Sequence, residues 1–336
     1  MGHTITIQPK GLVFHSDQNG QSIMDAAIAA GIQMRKSCDN GICEVCKARL
    51  IAGQVIKQTG TSSQPIEQGS DIYPCVTEAN SDIILEQLNV LAPGEIPQQH
   101  LSMQIESVKP LNDFTYQVQL LSPAGKLPQY HAGQYLELLI DDNQYPFTIA
   151  SKPNGRHIEL HLGVSEDNAS SIAIRNYLQN HSTVRVKLPG GNVWLKPGMD
   201  SFNLHDPLIF VVAGTGFAQA KAMIEDQLEH QHSAIYLYWI NRDQDGFYSN
   251  LPQQWHEDKL IHYVPMTPEQ VDGPFYSDQN VEELVQKQVS DISRIRVVAC
   301  GSPNFVYSVL DGLENKGFEQ RQMLSDVFAY APRPSK

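Results

Sequence analysis

The sequence predicts a multidomain chain in three parts: an α+β domain folded around a cysteine loop, an antiparallel β-barrel, and an α/β domain on a parallel sheet. Three observations carry that expectation. Cys38, Cys43 and Cys46 are spaced C-x4-C-x2-C, and Cys75 follows at a distance. Short runs of alternating apolar and polar residues, broken by Pro, Gly, Asn and Asp, fill the middle of the chain. From Leu208 onwards strand-like and helix-like runs alternate, the order of βαβ units. At 336 residues the chain also exceeds one ordinary core.

The first domain is expected over residues 1–92. Thr4-Ile5-Thr6-Ile7 alternates with period two and Leu12-Val13-Phe14 follows a Lys-Gly turn, which predicts a β-hairpin. Ser22 to Gly31 predicts a helix, with a capping serine, apolar residues at helical spacing and a terminal glycine. The cysteine loop comes next, and Ala48 to Val55 and Asp82 to Leu85 are strand candidates. Cys38, Cys43, Cys46 and Cys75 match the plant-type ligand pattern of a [2Fe-2S] cluster. Gly41 and the small polar residues around it let such a loop turn and aim N–H groups at the sulfurs. The alternative metal is zinc, whose structural sites take paired knuckles of short spacing; one knuckle, a four-residue gap and a lone Cys75 fit it poorly. The order of hairpin, helix, cysteine loop and strands resembles a plant-type ferredoxin, a β-grasp domain. One departure is Glu44, where that family commonly has glycine after the second cysteine. Glu44 is not a ligand, so its effect is expected on the exposure or potential of the cluster.

Ala92-Pro93-Gly94-Glu95-Ile96-Pro97-Gln98-Gln99 is polar and without apolar period, and marks a linker. Beyond it, residues 99–200 hold the alternating runs Met103 to Val108, Thr115 to Leu121, Tyr135 to Ile140, His157 to Val164 and Val184 to Leu188, with a helix from Ser170 to Leu178. Many short strands with one helical insertion predict a small antiparallel barrel. Ala132-Gly133-Gln134-Tyr135 leads into one strand and Tyr145-Pro146-Phe147-Thr148-Ile149-Ala150-Ser151 forms the next. Taken alone, the second reads equally well as an ordinary buried strand. It resembles the flavin-binding R-x-[YF]-[ST] signature of the ferredoxin-NADP reductase superfamily. That resemblance implies that Tyr145, Pro146, Phe147 and Thr148 meet the flavin, Phe147 lying against it and the Thr148 hydroxyl bonding its reactive nitrogen. Tyr145 stands where most members carry an arginine that clamps a flavin phosphate. The stretch with His161, Leu162 and Val164 likewise lacks basic residues. With Pro189 to Leu195, it is similar to the NAD(P)H:flavin oxidoreductases, which hold flavin loosely. The expectation is FAD, or FMN, bound weakly, with the N-terminus of the Ser170 helix as the remaining anion site.

The third domain, residues 201–336, alternates Leu208 to Ala213, Ala218 to Leu228, Ala234 to Ile240, Leu260 to Pro265, Val281 to Val289, Ile295 to Ala299 and Asn304 to Leu313. Such βαβ order builds a parallel sheet that binds ligands at its strand C-termini. Gly214-Thr215-Gly216-Phe217 sits between the first strand and its helix, where glycines let backbone N–H groups approach a pyrophosphate. Cys300-Gly301-Ser302-Pro303 ends a later strand. A free cysteine is most often a small buried hydrophobe. The two motifs together, however, resemble the NAD(P)H-binding half of the same superfamily, which implies that Cys300, Gly301 and Pro303 lie beside the nicotinamide, Cys300 near the carbon that gives up hydride. Asn241 and Arg242, with Asp243, follow the second strand, where an arginine meets a 2′-phosphate and an acid accepts from a free ribose hydroxyl. No cluster of basic residues reinforces Arg242, which favours NADH over NADPH. The tail Leu324 to Tyr330 resembles the family's terminal strand near the flavin, making Asp326 and Phe328 lesser candidates.

A formal net charge of −13 argues against nucleic acid, which needs a basic face. No apolar run is long enough to insert into a membrane. The start of the chain lacks the pattern of a secretory signal, which leads to the expectation of a cytoplasmic protein. There is no H-E-x-x-H helix and no G-x-S-x-G elbow for hydrolase chemistry. Read whole, the chain is similar to reductase components serving ring-hydroxylating oxygenases, phenol hydroxylase and CDP-6-deoxyglucoseen dehydration. The resemblance implies an NAD(P)H-dependent oxidoreductase in which electrons run from NAD(P)H through flavin to the cluster and on to an electron-accepting partner protein. The alternative is a flavin reductase that releases reduced flavin to a monooxygenase.

Overall fold

The computed structural model describes residues 2–16, 20–59, 62–195, 206–230, 234–242, 246–267, 285, 289 and 291–333. It divides into two compact units, Met1–Pro97 and Gln98–Lys336. The expected boundary at 200/201, Asp243, and the expected helix at 281–289 apart from Val285 and Val289 lie outside the described residues.

In the first unit, the hairpin Thr4–Gln8 and Leu12–His15 pairs antiparallel, with Thr4 opposite His15. It joins a five-stranded sheet through the parallel strand Ile83–Glu86, followed by Ala48–Ala52 and Asp71–Ile72. Alternation puts Ile5, Ile7, Leu50, Ile83 and Leu85 inside, where they meet Ile23, Met24, Ala26 and Ala27 of the helix Ile23–Ala29. Each large aliphatic side chain so buried contributes roughly 1.5–3 kcal/mol. Ser22 caps the helix, its hydroxyl accepting from the Asp25 N–H at 3.0 Å. A second small sheet pairs Ser62–Ile66, Val55–Thr59 and Thr77–Ala79.

The second unit begins with a six-stranded antiparallel sheet in the order Asn143–Thr148, Tyr135–Ile140, Thr183–Gly190, Gln99–Pro110, Thr115–Leu121, His157–Gly163. A bridge between Ile149 and Leu160 joins its two ends, so the sheet curls into a barrel. Leu136, Leu138, Val118, Leu120, Val184, Val186 and Leu188 point into its core. The helix Ala169–Asn180 packs on that core through Ile174 and Leu178.

The rest of this unit is a five-stranded parallel sheet ordered His262–Met266, Ile235–Ile240, Leu208–Ala213, Arg296–Cys300, Met323–Leu324. The chain runs outward from Leu208–Ala213 to one edge, then returns to its other side, so the switch point lies between Leu208–Ala213 and Arg296–Cys300. Leu208, Phe210 and Val212 pack with the helix Phe217–Glu229, while Ile209 and Val211 pack with the helix Pro303–Glu314. Covered on both faces, these strands are continuous apolar runs rather than alternating ones. The tail departs from the expected strand. It is extended only at Met323–Leu324, and Val327–Tyr330 form a short helix, which lets Ala329 and Tyr330 reach the mouth of the cleft described below. No helix among the described residues is long and apolar enough to cross a membrane.

Candidate functional site

The loop from Cys38 to Cys46 contains neither helix nor strand, so its shape depends on local turns. The Asn40 side chain accepts from the Ile42 N–H at 3.2 Å, and the Cys43 N–H points at the Cys38 sulfur at 3.4 Å. The Cys46 and Cys75 sulfurs stand 3.4 Å apart. Hydrogen bonding from the backbone of Asn40, then from Cys43 and Ile42, brings the Cys38 thiol down to about 6, which favours the thiolate that a metal needs. Burial and the contact with Cys46 push Cys75 up to about 11. Among the described residues, no three His, Cys, Asp or Glu side chains converge as a single metal ion requires. The Cys46 and Cys75 sulfurs form one close pair, and Cys43 hydrogen-bonds Cys38 through its backbone and its side chain, an arrangement that fits two irons with four cysteine ligands. Behind the loop, Gln87 is buried and donates to the Cys46 carbonyl at 3.2 Å. Glu44 has φ +59°, the left-handed region where glycine is at ease, and its carboxylate accepts from the Tyr73 hydroxyl at 3.1 Å. Ile42 is 78% exposed in front.

In the second unit a cleft of about 1460 Å³ opens where the barrel meets the C-terminal ends of the parallel strands. The barrel contributes Tyr135, Pro146, Thr148, Ser165, Gly191 and Asn192. The sheet contributes Gly214, Thr215 and Gly216 on one side of the switch point and Cys300, Gly301 and Ser302 on the other. Glycine at 216 is a steric requirement: a Cβ there would lie 2.7 Å from the Cys300 carbonyl oxygen. The turn is further held by the buried Trp239, whose indole N–H donates to the Gly214 carbonyl at 2.9 Å. Ligand-binding crevices of open α/β sheets lie at such a point.

Inside the cleft a buried glutamine joins four elements. Gln219 donates to the Gly133 carbonyl at 2.5 Å and to Asp326 Oδ2 at 3.0 Å, and accepts from the Cys300 thiol at 2.6 Å. Burial, followed by the charge of Asp326, raises Cys300 well above the ordinary thiol range, so the sulfur keeps the proton it donates. Burial raises the Asp326 carboxyl as well.

A second buried network joins the barrel to the parallel-sheet part of the unit. His161 Nε2 meets Glu159 Oε1 at 2.7 Å, its Nδ1 meets the Tyr248 hydroxyl at 3.0 Å, and Lys221 approaches Glu159 at 3.5 Å. Burial alone would raise Glu159, but the hydrogen bond with His161 and the charge of Lys221 outweigh it and bring the carboxyl to about 2.

The expected site residues separate accordingly. Pro146 and Thr148 line the cleft, whereas Tyr145 and Phe147, of opposite parity on the same strand, pack against the barrel core. His161 is taken up by Glu159 and Tyr248, Leu162 is barrel core, and Val164 packs on that core. Ser170 is exposed, and the first turn of its helix is capped by Asn168, which accepts from the Ser171 N–H at 3.1 Å. Gly214, Thr215, Gly216, Asn241, Arg242, Cys300 and Gly301 line the cleft. Phe217 is fully buried and stacks on Trp239 at 4.3 Å. Pro303 begins its helix, and Phe328 packs beside Tyr307. The Asn241 side-chain nitrogen is buried without a partner among the described residues, as a donor awaiting a ligand would be. Gln219 was not among the expected residues; a glutamine within an otherwise apolar helix face was the available signal.

Residues 5–80 match the 2Fe-2S iron-sulfur cluster binding domain, and residues 210–311 match the oxidoreductase NAD-binding domain. The chain is 29% identical to the CDP-6-deoxy-L-threo-D-glycero-4-hexulose-3-dehydrase reductase of Yersinia pestis, over 100% of both chains. It is 26% identical to reductase component 1 of the terephthalate 1,2-dioxygenase of a Comamonas species, again over 100% of both. The crystal structure of a cytochrome P450 reductase from Amycolatopsis shares the fold, with a TM-score of 0.61 and 18% identity over 96% of this chain and 98% of that one.

Proposed function

As a member of the NAD(P)H-dependent reductases that place a [2Fe-2S] ferredoxin domain ahead of a ferredoxin-NADP-reductase-type core, the chain is an electron-transfer oxidoreductase, and we propose that it serves a separate oxygenase or deoxysugar dehydratase. The observation that carries the reading is the cleft itself, where Thr148 of the barrel and Cys300 of the parallel sheet line one space. Bound nicotinamide supplies electrons in pairs, a [2Fe-2S] cluster accepts them singly, and flavin supplies the conversion between the two. The chain's own residues position these groups. Cys38, Cys43, Cys46 and Cys75 would hold the cluster, with backbone N–H groups facing its ligands. Thr148 would hydrogen-bond the flavin edge, Gly214, Thr215 and Gly216 would admit the pyrophosphate, and Cys300 would border the nicotinamide.

Weak flavin binding is part of the proposal. Arg242 is the one Lys or Arg among the described residues lining the cleft, and it stands after Ile235–Ile240, on the nicotinamide nucleotide's side. A flavin phosphate would find hydroxyls and amides there. We assign NADH as the preferred donor, because among the described residues no second Lys or Arg lines the cleft beside Arg242; kcat/KM with NADH and NADPH checks this. Five free thiols suit a reducing cytoplasm. The flavin-reductase alternative leaves the cysteine loop without a role.

The test is an anaerobic visible spectrum of desalted protein, with iron and flavin quantified, before and after NADH. Iron bleached by NADH once flavin is present supports the reading. Flavin reduction without cluster bleaching would overturn the electron route, and tightly retained stoichiometric flavin would overturn weak binding.

A further inference from the structure

We propose that Gln219 is a positioning residue for hydride transfer, locking the Cys300 thiol and the Asp326 carboxyl to one wall of the cleft; this rests on the reading of that cleft as the meeting place of nicotinamide and flavin. Gln219 is the third residue of the helix Phe217–Glu229 and is 3% exposed. The residues of that helix one turn further on, Ala222 and Met223, are buried and apolar, and nothing in the packing of a helix on a sheet calls for an amide there. A buried amide is tolerated when its hydrogen bonds are made. Here both N–H groups and the carbonyl are engaged, at 2.5, 3.0 and 2.6 Å.

The chemistry of the partners sets the orientation of the amide. The Gly133 carbonyl can only accept, and so takes an N–H; the Cys300 thiol keeps its proton, and so donates to the amide oxygen. Flipping the amide would set its oxygen against the Gly133 carbonyl, two acceptors facing each other. Each partner comes from a different part of the unit: the turn before Tyr135–Ile140, the end of Arg296–Cys300, and the tail beyond Met323–Leu324. Cys300 and Asp326 both line the cleft, and Asp326 also borders Gly191 and Tyr135 on the barrel side. Gln219 therefore sets the distance between the sheet's contribution to the cleft and the barrel's. Misplacing a reacting pair by about 1 Å lowers rates by as much as roughly 100-fold.

The experiment is anaerobic stopped-flow reduction of added flavin in the full-length protein, comparing wild type with Gln219→Leu and Gln219→Asn. We expect Gln219→Leu to slow single-turnover flavin reduction by roughly tenfold or more. The KM for NADH should stay within about twofold, and the isotope effect with NADH deuterated at the transferring carbon should rise, since positioning acts on the chemical step. Calorimetric binding of NAD⁺ to flavin-free protein should change less than about threefold, because positioning leaves ground-state affinity intact. Gln219→Asn, which keeps the amide but shortens its reach, should fall between, and supplies the answer if the leucine variant fails to fold. In a Cys300→Ala background the effect of Gln219→Leu should shrink, because the two residues act as a unit. A folded variant with a wild-type rate and isotope effect, or a loss confined to KM, would overturn the proposal while leaving the reading of the cleft intact. Wild-type protein that fails to reduce flavin with NADH or NADPH would overturn both.

Discussion

The cysteine loop of the first unit and the cleft of the second are built on opposite plans. The loop is a largely exposed stretch without regular structure, whose cysteines are close neighbours apart from Cys75 and whose geometry depends on turns and backbone N–H groups. The cleft is assembled from strand ends and buried side chains. Gln219 reaches partners 81, 86 and 107 residues away. A cluster that hands electrons to another protein has to lie near the surface, and Ile42 at 78% exposure marks that edge. A hydride that must not meet water has to move inside. The contrast teaches that one chain can keep a locally specified site and a globally specified site, and that the two fail for different reasons.

The largest effect that tests this division is Cys43→Ser. It should abolish the cluster, read as loss of iron and visible absorbance, while NADH-to-ferricyanide activity survives once flavin is supplied. Loss of both would show that the cleft depends on the loop. Gly216→Ala is the counterpart in the cleft. Its Cβ would lie 2.7 Å from the Cys300 carbonyl oxygen and 3.0 Å from the Cys300 Cβ. Overpacking of this kind costs about 1–3 kcal/mol, so NADH-driven flavin reduction should fall by more than roughly tenfold with the iron content unchanged. Cys300→Ala removes a thiol but no backbone, and should slow flavin reduction with little change in melting temperature.

A pH series sharpens the comparison, because a buried ion pair belongs to the cleft's plan. Glu159 lies at about 2 in the folded protein, below the ordinary glutamate value of about 4.3. Its stabilisation is present in full above the unfolded value and is lost as pH falls through the folded one. Glu159→Gln should therefore lower stability by roughly 2–3 kcal/mol at pH 7, and the gap in melting temperature should close between about pH 4.5 and 2. A gap that stays constant with pH would show that shape, not charge, holds the network. The smallest effect belongs to the loop. Glu44→Gly relieves a left-handed residue at +59° but adds unfolded-state entropy, and should move stability by less than about 1 kcal/mol. A larger change would mean that the bond from Tyr73 to Glu44 matters more than the backbone.

The cysteine spacing, the N-terminal hairpin and the alternation of strands and helices could be read from residues, because each depends on neighbours close along the chain. Ser22, with its cap on Asp25, and the glycine turn at Gly214 are of that kind. The flavin strand shows the limit of such reading. Its motif names four consecutive residues without distinguishing them, and a strand's period of two turns Pro146 and Thr148 to the cleft and Tyr145 and Phe147 to the core. His161 and Phe217 stand at motif-like positions, and their side chains meet Tyr248 and Trp239, partners 87 and 22 residues away, while Glu159 lies only two residues from His161.

By itself the sequence determined the class of chemistry, since thiolates at C-x4-C-x2-C and glycines after a parallel strand constrain what can bind nearby. Only the tertiary structure decided which side chains face the cleft. That choice depends on strand parity, on the switch point that brings Gly216 against Cys300, and on a glutamine whose three partners meet only when barrel, sheet and tail are packed together.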